Sequence, residues 1–103
     1  MTEDQIENII QEKELTAPRV TPETLDNVIE DTHYWVAPGT TLTVCCLVLK
    51  NGFTVTGESA CASPENFDKE LGEQIAYRNA KDKIWALEGY LLKQKLYVDS
   101  LSE

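Results

Sequence analysis

Residues 41–92 limit the possible folds more than any other stretch of this chain. Thr41–Lys50 is rich in Thr, Val and Leu, as strands are. Asn51-Gly52 follows, and then a second β-prone run, Phe53–Cys61. Ser63-Pro64-Glu65 gives a cap, a proline and an acid, the start signal of a helix that carries apolar residues as far as Leu91. With almost no linker between these pieces, the block predicts a hairpin laid against a helix.

The hairpin sets an expected register. Asn-Gly suits a two-residue type I′ turn, because both positions tolerate positive φ. Lys50 then pairs with Phe53, and opposite residues sum to 103. Leu42, Val44, Cys46 and Val48 share one face with Val55, Gly57, Ser59 and Cys61. The small Cys46/Gly57 pair leaves a depression where a helix can come close. The other face, with Thr43, Cys45, Leu47 and Leu49 against Thr54, Thr56, Glu58 and Ala60, reads as mixed. The N-terminal helices or another subunit are expected to cover it in part.

The helix carries two apolar stripes. Phe67, Leu71 and Ile75 form one; Ala76, Ala80, Ile84, Leu87 and Leu91 form the other. At about 100° per residue they lie on roughly opposite sides. Either the helix breaks within Arg78–Lys83 or its second half buries a different side. The preferred reading is one long helix, packed on its own sheet first and on a second subunit next. Gly89 is a candidate for a close helix contact.

Before this block, Thr2 with Gln5 reads as a capping box for a first helix fading near Leu15. Thr21, Pro22 and Glu23 open a second, ending near Asp31. His33–Ala37 reads as a strand and Pro38-Gly39 as a turn. The expected fold class is α+β. A small antiparallel sheet of about three strands is packed by a long C-terminal helix, with two short acidic N-terminal helices. The expected organisation is a single domain: an acidic arm over 1–31, a core over 32–98 and a frayed tail over 99–103.

Charge narrows the partners. The chain of 103 residues carries a net charge of −9. Residues 1–31 hold nine acids and two bases, whereas residues 62–96 hold six of each. An acidic surface repels phosphate backbones, so general DNA or RNA binding is not expected. The arm either solvates the protein or meets a basic partner surface. With no long apolar run and no secretory start, the expectation is a cytoplasmic protein without membrane partners. The three cysteines, Cys45, Cys46 and Cys61, show no metal spacing and read as thiols of a reducing compartment. No metal and no cofactor is expected.

Candidate ligand residues are few. Arg78, Asn79, Lys81 and Lys83, followed by Trp85, are the one basic cluster. Arg78, Asn79 and Lys83 suit charge-assisted bonds to an anionic ring compound such as a nucleotide, with Trp85 or Tyr34 as the stacking plane. The plainer alternative is a solvated helix face exchanging salt bridges with Glu73, Asp82 and Glu88. Glu58, between Gly57 and Ser59, is either a strand glutamate or a carboxylate that orders a site. His33, the one histidine, is a weak general-base candidate. No catalytic residue is assigned, and a small hydrolase using Glu58 or His33 is the minor reading.

Four segments carry a family resemblance: PGTT (38–41), NGFTVTGESAC (51–61), PENFD (64–68) and NAKDKIWALEGYLL (79–92). They resemble a family of small tailed-phage proteins, named for gene product 49 of one enterobacterial phage and gene 66 of another, over about residues 30–95. The resemblance implies a phage or prophage gene expressed in bacterial cytoplasm. By analogy it implies an accessory protein that binds a host component, with an anti-defence role. Within the block, Gly57, Glu58, Ser59, Asn79, Lys83, Trp85, Glu88 and Gly89 are the candidate shared positions. The expected function is a non-enzymatic binding protein that sequesters a nucleotide signal between subunits of a dimer or higher oligomer. The alternative is an acidic, nucleic-acid-mimicking inhibitor of a basic host protein.

Overall fold

Helix-start chemistry places the first two elements of the computed structural model, which describes residues 1–14 and 17–102. Thr2 caps α1 (Glu3–Glu12) in a full capping box with Gln5. The helix ends at Glu12, so the fade expected at Leu15 lies outside the described residues. Thr21 caps α2 (Pro22–Val28), with Pro22 in the first turn and Thr24 completing a second box. The next strand, β1 (Ile29–Val36), begins directly after α2, earlier than the expected start at His33. Its entry is fixed because the Lys50 amide donates to the Val28 carbonyl at 2.9 Å. Glu30 is absorbed in a bulge between Ile29 and Asp31.

β2 (Thr43–Leu49) lies between β1 and β3 (Thr54–Ser59), antiparallel to both. This is the expected three-stranded α+β architecture. The register differs from expectation by one residue. Thr43 faces Ser59, Cys45 faces Gly57 and Leu47 faces Val55. The loop holds three residues rather than two. The Gly52 amide donates to the Leu49 carbonyl at 2.8 Å, and Leu49 in turn pairs with Phe53. Only Gly52 takes positive φ (+88°); Asn51 does not, and its side chain instead accepts from the Phe53 amide at 2.9 Å. The turn is therefore a type I turn followed by a left-handed glycine, the usual three-residue solution.

A one-residue shift turns every side chain of one strand to the other face of its neighbour; here β2 turns, while Val55 and Gly57 keep the helix side. Thr43, Cys45, Leu47 and Leu49 are buried under the C-terminal helix, not Leu42, Val44, Cys46 and Val48. The latter set, with Trp35 and Glu58, lies on the face turned away from the helix, and no N-terminal helix covers it.

The C-terminal helix, α3 (Lys69–Ser100), is unbroken over 32 residues. It starts later than Ser63 suggests. Pro64–Asn66 makes one 3₁₀ turn and Ser63 gives no side-chain cap. Phe67 is extended, and Asp68 caps α3 by accepting from the Leu71 amide at 3.0 Å. A carboxylate at the positive helix end is the stronger cap. The helix buries Ala76, Ala80 and Ile84 on the sheet, with Leu25 of α2 completing the core. Gly57 makes this packing close. A Cβ there would stand 2.2 Å from the Ala80 nitrogen and 2.3 Å from the Ala76 oxygen. The expected depression exists, but Cys45 rather than Cys46 shares it.

Among the described residues, one buried side chain is unsatisfied. Thr43 is fully buried beneath Gly72, and its Oγ1 has no hydrogen-bond partner. A buried hydroxyl without a partner costs about 1–3 kcal/mol in desolvation. Thr43→Val keeps the shape and removes that cost. The expected result is a gain of about 1 kcal/mol in urea unfolding; a loss of stability would mean the hydroxyl is bonded.

The molecule is long, 59 × 32 × 19 Å, with a radius of gyration of 17.2 Å. A rounded domain of this size has about 13 Å. The cause is α3, about 48 Å long, whose residues from Lys93 to Ser102 are all exposed.

Candidate functional site

Helical spacing decides where the basic cluster points. Arg78 and Lys83 are five residues apart, hence about 140° apart around α3. Arg78 lies nearly in line with Trp85, and Asn79 with Lys83, so the cluster divides into two pairs. Asn79 does structural work at the sheet edge: its Nδ2 donates to the Glu58 carbonyl at 2.9 Å. Lys83 is exposed beyond it. Arg78 is exposed too, while Trp85 is half-buried under α1, its Nε1 donating to Glu3 at 3.4 Å.

Tyr34 stands across the helix from Lys83. It pairs with Cys45 and so lies on the helix side of the sheet. Burial, then the neighbouring Cys45, Glu73 and Tyr77, push its phenol above the ordinary value. Burial likewise raises the Cys45 thiol, with Cys46 adding to the shift and the neighbouring Tyr34 hydroxyl opposing it. That thiol is a packing group, not a nucleophile. Glu58 is exposed on the opposite sheet face beside Val44, so its carboxylate points away from Tyr34 and from α3. The six candidate residues therefore do not converge within one chain. His33 is exposed, and its Nε2 lies 3.1 Å from the Asp31 carboxylate. Among the described residues, no group of three His, Cys, Asp or Glu side chains is placed to hold a metal ion.

The salt bridges to Glu73, Asp82 and Glu88 that the plainer alternative called for do not form among the described residues. Among the described residues, neither Arg78 nor Lys83 forms an ion pair, although acids outnumber bases two to one. Lys81 differs: it reaches Asp26 of α2 at 2.6 Å. Burial works to lower its pKa, but the Asp26 bond and charge outweigh that, and the net shift is upward. Arg19 holds Glu7 of α1 in a two-pronged ion pair, one bond at 2.8 Å, which lowers the Glu7 pKa.

Sequence reasoning missed one feature, an apolar cleft of about 450 Å³ where α3 leaves the sheet. Val28, Leu49 and Phe53 form its floor, and Leu87, Tyr90 and Leu91 its helical wall. The Leu87–Leu91 stripe signalled the wall. The floor depended on the hairpin register. A second, smaller hollow of about 270 Å³ lies between α1 and Trp85, lined by Ile6, Ile10, Val20 and Pro22.

No helix among the described residues is long and apolar enough to cross a membrane. Neither a curated protein nor a solved structure matches the chain. One family model does, over residues 20–96, which spans the sheet, α2 and nearly all of α3 but leaves out α1. The match covers well over half of the sequence, and the chain belongs to the phage protein family of N4 Gp49 and phage Sf6 gene 66.

Proposed function

We propose that this phage protein acts by binding rather than by catalysis, and that it counters a bacterial defence by holding a small anionic nucleotide between two subunits in the host cytoplasm. The observation that carries this reading is the pair of unneutralised cations, Arg78 and Lys83, in a strongly acidic chain. Unpaired cations on a rigid helix are ready for a phosphate without first breaking a salt bridge. Because the two face different ways, a site that uses both takes them from different chains. The Asn79 amide oxygen, left over after the bond to Glu58, and an aromatic plane from Trp85 or Tyr34 would orient the base.

Thermal unfolding with cyclic and adenine nucleotides tests this. At a ligand concentration of about 100 Kd, binding adds about 2.7 kcal/mol, and Tm rises by about 10 °C or more. The nucleotide returns intact after heating. Arg78→Glu with Lys83→Glu abolishes the shift; a double variant that still binds removes the site.

A second reading has its own observation. Glu3, Asp4, Glu12 and Glu23 are exposed on an N-terminal arm held in place by Arg19–Glu7 and Asp26–Lys81. An ordered acidic surface suits a basic host protein. Salt-sensitive capture of such a protein, with no nucleotide shift, would favour it.

A further inference from the structure

The buried side of α3 does not end where the sheet ends. Ala80, Ile84 and Leu87 pack on the protein's own strands. On a wheel of about 100° per residue, Leu91, Val98 and Leu101 continue that line to within about 40°. Tyr90 and Tyr97 widen it. These side chains are all exposed, from 49% for Val98 to 71% for Tyr90. A solitary helical segment of about ten residues is marginal in water, and one with an apolar face is stable only when that face is covered.

We infer that the exposed end of α3 is covered by the same segment of a second copy, antiparallel, about a two-fold axis at Gln94. Three observations select this occupant. The first is Gln94 itself, the polar residue in the middle of the apolar arc. An amide offers both a donor and an acceptor, so two copies meeting on an axis satisfy each other, and such a polar pair fixes register. The second is reach. Centring the axis on Gln94 sets Leu101 of the partner subunit against Leu87, at the cleft beside Leu49 and Phe53, and the partner's Tyr97 against Leu91. Each chain then fills the other's cleft, as an isologous contact requires. The third is area and charge. With Phe53, the exposed side chains offer roughly 600–700 Å² of apolar surface per chain, near the ~800 Å² per partner of a stable interface. The segment 90–101 carries Lys93, Lys95 and Asp99, so the acidity that would repel a second copy is elsewhere.

This inference does not rest on the nucleotide reading: with the axis at Gln94, Arg78 of one chain stands ~40 Å along the helices from the partner's Lys83, so that site would need a further interface, and the test here contains no nucleotide. Sedimentation at micromolar concentration is expected to give twice the 11.6 kDa chain mass, or an even multiple of it. Leu91→Glu with Val98→Glu lowers it to that of one chain and weakens association at least 100-fold. Both residues are exposed in the single chain, so its core survives, as near-unchanged sheet and Trp signals would show. In a Cys46→Ser, Cys61→Ser background, Gln94→Cys oxidises readily to a linked dimer, whereas Leu96→Cys, about 160° round the helix from Gln94, does not. A monomer, an odd-numbered assembly, or equal cross-linking from both positions overturns the inference. A monomer would leave the face to a partner other than this chain.

Discussion

Gly57→Ala is expected to cost at least about 3 kcal/mol, a large share of the total stability of a domain this size. The added carbon would stand 2.2 and 2.3 Å from backbone atoms of α3. A flexible side chain can rotate away from such a contact; a helical backbone cannot. The strand and the helix must separate, and the contacts of Ala76, Ala80 and Ile84 with Cys45 and Leu47 loosen together. Overpacking usually costs about 1–3 kcal/mol because side chains adjust, and here none is available to adjust. Ala80→Gly gives no rescue, since the atoms met belong to the main chain. Urea unfolding followed by circular dichroism reads the effect. A midpoint close to the parent's would mean that the α3 backbone does not lie against Gly57.

Leu25→Ala is expected to cost about 3 kcal/mol and to lower Tm by roughly 15 °C. Leu25 is the buried residue of α2 and is fully enclosed in the core cluster with Leu47, Leu49 and Ile84. Removing three carbons leaves a hole that α2, pinned at Thr21 by its cap and at Val28 by the bond to Lys50, cannot close. The substitution also loosens the attachment of the arm, which otherwise rests on surface ion pairs and on the partly buried Val20 and Trp85. Trypsin cleavage at Lys13 and Arg19 should therefore quicken in step with the loss of stability. An unchanged Tm would remove α2 from the core.

These two residues show what the sequence makes legible. A gap beside Gly57 was readable, because a glycine in a strand marks a close approach. Its neighbour across the sheet was not, because Asn-Gly announces a turn without stating the number of loop residues. Two or three residues fit the same letters, and the difference inverts β2 against β3. The caps at Thr2 and Thr21 were local chemistry and could be read directly. Ser63 and Asp68 competed for one helix start, and the extended backbone of Phe67 decided it. For the candidate site, the directions of Arg78 and Lys83 follow from helical spacing. The neighbours of each did not, since they depend on which sheet face the helix takes. The Tyr34–Cys45–Tyr77 cluster and the cleft at Phe53 are long-range results of that choice.

The first helix has a consequence of a different sort. α1 buries none of its residues and lies outside the span shared with the phage family. Exchanges on such a surface shift stability by only about 0.5 kcal/mol each. Folding stability therefore constrains this stretch far less than it constrains Leu25 and Gly57. Sequence drift between phage lineages should accumulate in the first dozen residues, while the scaffold behind them stays the same.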